Sequence, residues 1–91
     1  MYGEPVALGE EMKYVYLLRS LSDPTQRYTG ITENLEQRIH AHNAGASPHT
    51  SKYRPWKVVT HLCFQDDRRA VEFERYLKTG SGQAFANKRL W

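Results

Sequence analysis

A single cysteine, Cys63, stands in this 91-residue sequence. That excludes an internal disulfide and a multi-cysteine zinc site. No apolar run approaches the ~18 residues of a membrane span. The first residues lack the basic-then-apolar order of a secretory signal. A reducing cytoplasm is the expected compartment, with no membrane partner. Two familiar chemistries are also missing: a glycine-rich phosphate loop ahead of a helix, and an HExxH zinc motif. Basic residues are absent from residues 1–11, where Glu4, Glu10 and Glu11 give a charge of −3. All 13 Lys and Arg fall in the remainder beside seven acidic residues, so that part carries +6. A small basic domain favours a polyanionic partner, nucleic acid ahead of a membrane surface.

Ninety-one residues leave room for one domain. Residues 1–11 contain Gly3, Pro5 and Gly9 without a sustained period and read as a flexible acidic tail. Residues 12–91 read as the domain. Lys13 to Ser20 is aromatic and β-branched with apolar residues on both faces, the pattern of a central strand. A turn around Asp23-Pro24 leads to a second strand, Arg27 to Thr32, predicted to pair with the first as a hairpin. Gly30 interrupts that strand, as glycine does at a bulge or close backbone approach. Thr32 or Asn34 can cap a helix running to about Ala44, with Leu35 and Ile39 as its apolar stripe. Gly45 suits the position after its end.

Gly45 to Pro55 reads as a polar, basic loop. Trp56 to Phe64 is a third strand, with Trp56, Val58, Leu62 and Phe64 expected on one face. Cys63, mid-strand among apolar neighbours, is expected in the core, and His61 on the sheet surface. Asp66 or Asp67 caps a helix to about Lys78, with Ala70, Phe73 and Leu77 as its core stripe. Thr79 to Gly82 breaks it. Gln83 to Trp91 forms a short last helix. The predicted fold class is α+β: a small three-stranded antiparallel sheet flanked by helices, order β-β-α-β-α-α.

Candidate chemistry sits in the first half of that fold. Tyr16 and Tyr28 lie on paired strands, Arg38 and His42 four apart on the following helix, and Glu74 on the next helix off its apolar stripe. Singly, each has an ordinary explanation: packing tyrosines, a solvated arginine, an i, i+4 pair of Glu74 with Lys78. Together they suit phosphodiester hydrolysis. One carboxylate with waters and phosphate oxygens suffices for a hard divalent cation. An arginine offers a fixed fork to phosphate, and a Tyr or His can act as general base on water.

The ordered set resembles the GIY-YIG nuclease family, and specifically its small stand-alone bacterial members. The first signature tripeptide stands here as Tyr14-Val15-Tyr16 and the second as Tyr28-Thr29-Gly30, about a dozen residues later. The helix arginine matches Arg38, a histidine four residues on matches His42, and the metal-binding glutamate matches Glu74. Residues 12 to about 90 are covered. Tyr14 replaces the leading glycine and Thr29 the middle residue of the second tripeptide; Ile31 stands where some repair enzymes carry lysine. The resemblance implies an endonuclease using one divalent cation, Mg²⁺ or Mn²⁺, with a role in DNA repair, recombination or processing. It implies that Glu74 holds the metal, Arg38 contacts the scissile phosphate, and Gly30 lets backbone pass close to the site. It further implies that Tyr16, with Tyr28 or His42, positions and deprotonates the attacking water; which of the three is the base stays open.

The expected partner is nucleic acid, DNA favoured over RNA, and a protein partner is left open. Lys52 and Arg54 in the basic loop and Arg75 and Lys78 on the second helix are candidate backbone contacts, as are His49, Lys88 and Arg89. Such contacts position a substrate without reading sequence, so selection by structure, by strandedness or through a partner is expected. A non-catalytic nucleic-acid-binding module that keeps the fold is the alternative. A purely structural domain would leave the basic balance unexplained.

Overall fold

A computed structural model describes residues 12–91. The expected acidic tail, residues 1–11, lies outside the described residues. Three strands, β1 (Lys13–Ser20), β2 (Arg27–Thr32) and β3 (Trp56–Phe64), form one antiparallel sheet in the order β2-β1-β3. Helices α1 (Leu35–Asn43) and α2 (Pro48–Ser51) follow β2, and α3 (Asp67–Tyr76) and α4 (Gly80–Arg89) follow β3. The expected fold class is the one observed. Among the described residues no helix is long and apolar enough to cross a membrane.

The central strand explains the layering. Val15, Tyr16, Leu17 and Leu18 are all buried completely. Successive strand side chains point to opposite faces, so β1 needs cover on both. Val15 and Leu17 pack with Ala70, Leu77 and Ala86 of the α3–α4 end of the chain. Tyr16 and Leu18 pack with Trp56, Leu35 and Ile39, on the side of α1. The sheet is therefore sandwiched between two helical layers.

Local sequence fixes the helix ends. Asn34 Oδ1 accepts from the Gln37 amide at 3.0 Å and starts α1. Gly45, at φ +83°, takes the left-handed turn after it, where residues with a Cβ are strained. Asp66 Oδ1 accepts from the Arg68 amide at 2.8 Å and caps α3. Thr79 Oγ1 accepts from the Gly82 amide at 3.1 Å and caps α4. The last helix thus begins at Gly80, not Gln83. The Thr79 cap offsets the low helix preference of two glycines, and a Cβ at Gly82 would overlap the Tyr76 carbonyl.

Three further expectations are corrected. The basic segment 45–55 is not all loop, since Pro48–Ser51 forms a helical turn with proline at its start. The single apolar face of β3 does not exist. Leu18 pairs with Val58 but Leu17 pairs with Thr60, which leaves Val59 as the extra residue of a β-bulge. Trp56 and Val58 consequently face Tyr16 and Leu18, whereas Phe64 packs against Val15 and Leu17. Cys63 is exposed rather than core. It pairs with Tyr14 across the sheet and, as the strand neighbour of Phe64, points to the opposite face.

Leu17 sits at the centre of the α3–α4 side of the core with no exposed surface. Leu17→Ala is expected to cost about 2–5 kcal/mol, read as a lowered urea midpoint at unchanged slope.

Candidate active site

The side chains of Tyr16, Tyr28 and His42 meet on the α1 side of the sheet. Tyr16 and Gly30 are partners in the β1–β2 ladder. Tyr28, two residues before Gly30, shares that face. A Cβ at Gly30 would overlap Tyr16 Oη and stand 2.9 Å from Tyr28 Cε2. Glycine is required here because the Tyr16 hydroxyl lies across the backbone where a side chain would be. The Tyr28 ring meets His42 edge-on with centroids 4.9 Å apart, and Tyr16 lies 6.1 Å from Tyr28.

His42 is buried at the last turn of α1, one turn beyond Arg38. Its Nε2 lies 3.0 Å from Tyr16 Oη, and its Nδ1 lies 2.8 Å from Thr50 Oγ1. Thr50 Oγ1 in turn donates to the Ser47 carbonyl at 3.5 Å. With the Thr50 hydroxyl donating to that carbonyl, Oγ1 is left to receive Nδ1–H in the tautomer that carries the proton on Nδ1. Nε2 is then bare and accepts the Tyr16 hydroxyl. The chain of donors runs in one direction, from Tyr16 through His42 and Thr50 to Ser47.

Thr50 is held by α2, and α2 is pinned by Trp56, whose Nε1 donates to the Thr50 carbonyl at 2.8 Å. Asn43, next to His42, closes the frame: its Oδ1 accepts from the Trp56 amide at 2.6 Å and its Nδ2 donates to the Trp56 carbonyl at 3.1 Å. Sequence reasoning missed Thr50, Asn43 and Trp56 as supports of the site. Thr50 lies in a segment without period, and only the fold brings it beneath an imidazole eight residues earlier.

The electrostatics follow from burial. Loss of water pushes the Tyr16 pKa above its ordinary value, and the Tyr28 hydroxyl and Glu74 charge push the same way; Arg38 opposes them. Burial likewise lowers the His42 pKa, with Arg38 adding to the effect. At neutral pH the pair is a neutral phenol hydrogen-bonded to a neutral imidazole.

Glu74, on α3, is only 17% exposed at its side chain and pairs with Lys78 Nζ at 2.6 Å. Lys78 is therefore the internal counter-ion of the carboxylate, besides standing at the surface. Lys52 is exposed, its ammonium 5.5 Å from the Tyr53 ring. Arg54 is exposed with its guanidinium against Gly45. Arg75 projects from the last turn of α3. Of the expected catalytic set, Tyr16, Tyr28 and His42 are in contact. Arg38 lies one turn before His42 on α1, and Glu74 lies on α3, which packs on the Val15 and Leu17 side of the sheet, while Lys52, Arg54 and Arg75 do not join the contacting trio.

No group of three or more His, Cys, Asp or Glu gathers among the described residues, so no protein cage surrounds a metal. Glu74 is instead a single, largely buried carboxylate paired with Lys78. That fits a hard ion such as Mg²⁺, which keeps its waters and takes one or two carboxylates plus phosphate oxygens.

Sheet, tyrosine pair, helix arginine and carboxylate together define a nuclease-type domain. The family model of the GIY-YIG catalytic domain matches residues 12–89, and the chain belongs to that nuclease family. A UPF0213 protein of Clostridium perfringens is 41% identical over 68 residues, covering 74% of this chain and 71% of that protein. A UPF0213 protein of Staphylococcus haemolyticus is 37% identical, covering 77% and 84%. The structure-specific endonuclease subunit SLX1 of Debaryomyces hansenii is 35% identical over 71 residues, covering 70% of this chain but 20% of that protein.

Two outcomes are expected. Gly30→Ala forces the Tyr16 ring to move and costs about 1–3 kcal/mol through overpacking, measurable by denaturant titration, with the Tyr16–His42 bond lost. His42 binds fewer protons in the folded protein than in the unfolded chain. Its contribution to stability is complete above the ordinary value of 6.5 and is lost as pH falls through its lowered folded value. The urea midpoint is therefore expected to decline below about pH 6.5, with a shallower decline in His42→Gln.

Proposed function

We propose that this chain is an endonuclease that hydrolyses nucleic-acid phosphodiesters, DNA in preference to RNA, with one divalent cation, Mg²⁺ or Mn²⁺, held by Glu74. The observation that carries the reading is the hydrogen-bond chain from Tyr16 through His42 to Thr50, in a domain that also holds one largely buried carboxylate, Glu74, on α3. Binding alone requires neither. A lone carboxylate beside phosphate would repel it.

The residues divide the work as follows. Arg38 offers its guanidinium fork to the non-bridging oxygens of the scissile phosphate. Tyr16 Oη takes a proton from the attacking water while its own proton passes to His42 Nε2. A raised pKa makes Tyr16 a poor resident phenolate, and this exchange removes the need for one. His42 starts neutral, so Nε2 is free to accept. As it becomes an imidazolium, Nδ1–H stays bonded to Thr50 and the ring keeps its place. Tyr28 packs against both rings and keeps water from the imidazole. A cation on Glu74 would neutralise charge on the phosphate and on the departing oxygen. Lys78 must release the carboxylate for that ion to bind.

The basic excess of residues 12–91 supports a polyanionic substrate, and Lys52, Arg54 and Arg75 supply backbone contacts away from the reacting atoms. These contacts follow charge and shape rather than sequence. The printed name of the Debaryomyces relative, a structure-specific endonuclease subunit, supports selection by nucleic-acid structure and leaves room for a protein partner.

The test is cleavage of labelled single-stranded, duplex and branched DNA and single-stranded RNA, each with Mg²⁺, Mn²⁺ or EDTA. Metal-dependent cleavage is expected. Glu74→Gln should abolish it while salt-sensitive binding persists. Tyr16→Phe and His42→Ala should each lower the rate by about 10²–10⁴-fold, the range of general-base catalysis. Cleavage by Glu74→Gln at the wild-type rate would sink the proposal.

A further inference from the structure

Beyond the tyrosine–histidine pair, a cavity of about 420 Å³ lies at the outer edge of β2 against α4. Tyr28, which packs against Tyr16 and His42, and Lys78, the partner of Glu74, are both among its lining residues, so it borders the candidate active site. Its floor is apolar: Leu77 and Ala86 are buried, and Trp91 closes the far end. Its rim is polar and built. The Arg27 guanidinium stacks 4.6 Å from the centre of the Trp91 ring and donates from Nη1 to Asn87 Oδ1 at 2.7 Å. That bond fixes the Asn87 amide with its oxygen satisfied, which leaves its NH₂ to donate outward. One helical turn earlier, Gln83 donates from Nε2 to the Lys78 carbonyl at 3.4 Å, which leaves its Oε1 to accept. The cap of α4 at Thr79 and the close contact at Gly82 hold this helix, and so both amides, against the end of α3.

Size and chemistry narrow the occupant. The volume is at the small end for a ligand cavity and is far too small for a duplex. A flat ring suits an apolar floor, and one donor beside one acceptor suits the edge of a nucleobase. Cationic groups at both ends, Arg27 and Lys78, suit the phosphates on either side of a single nucleotide. We propose that this cavity takes one nucleobase of the substrate adjacent to the scissile phosphate, and that Gln83 and Asn87 read its Watson–Crick edge. The proposal rests on the nuclease reading above. An edge read in this way cannot be paired at the same time, so the nucleotide enters unpaired or flipped out of the stack.

The experiment has two arms. In the first, oligonucleotide pools randomised at each position around the cleavage point are cut by the wild-type protein and by the Gln83→Ala/Asn87→Ala double variant. One position is expected to show a base preference of about 5–100-fold. The double variant should flatten it while total cleavage of the mixed pool stays within about threefold. A preference unchanged in the variant, equal loss for all bases, or no preference in the wild type would each overturn the proposal. In the second arm, wild type and variant bind the same pools in EDTA, with DNA and RNA versions compared. This arm does not depend on turnover. If nothing is cleaved but binding shows the preference and the variant loses it, the cavity proposal stands and the nuclease reading falls. If binding shows no base preference that depends on Gln83 and Asn87, the cavity proposal falls whatever the cleavage result.

Discussion

Everything in this domain depends on β1 being buried on both faces. A strand so placed has no solvent side, so every side chain on it must find either apolar contact or a hydrogen-bond partner. Val15, Leu17 and Leu18 take the first course. Tyr16 takes both: its ring fills the α1-side core, and its hydroxyl, with no exposed surface of its own, is satisfied by a side chain. The requirement for a partner to that one hydroxyl brings His42 into the core at the end of α1. His42 then needs a partner for its other nitrogen, which brings Thr50 and therefore α2. The site is the continuation of a core-packing problem.

The same chain of needs explains the rigidity around the site. Asn43 binds both backbone groups of Trp56, and Trp56 binds the carbonyl of Thr50, so α1, α2 and the start of β3 are tied at three points beside the imidazole. Burial sets the direction of both pKa shifts, and Arg38 divides its influence. It favours a phenolate at Tyr16 and disfavours an imidazolium at His42. On the mechanism proposed above, a bound phosphate would draw on Arg38 and relax both effects.

Much of this was legible in the sequence, for identifiable reasons. The strand periods, the caps at Asn34 and Asp66 and the glycine at position 45 are local signals, and they place the elements that bear Tyr16, Tyr28, Arg38, His42 and Glu74. Gly30 was legible as a close approach because glycine within a strand has few other uses. What failed is non-local. The bulge at Val59 depends on the register against β1, and no residue of WKVVTHLCF announces it. The exposure of Cys63 depends on which layer covers that end of the sheet, which its apolar sequence neighbours do not tell. Thr50 looks like any polar loop residue until the fold puts it under His42. Helix α4 starts early because the Thr79 cap outweighs two glycines, a balance that propensity alone reads the other way.

The bulge also makes β3 a strand in two phases. Trp56 and Val58 face the α1 layer, and Thr60, Leu62 and Phe64 face the α3–α4 layer. One extra residue lets a single strand serve both halves of the sandwich. Shortening the chain by Val59 would therefore be graver than replacing it by any other residue. Trp56 would turn over, away from Tyr16, and release the Thr50 carbonyl. Lys57 would be driven inward in its place. A surplus residue with no polar role of its own thus keeps the indole, α2 and the imidazole in a common frame.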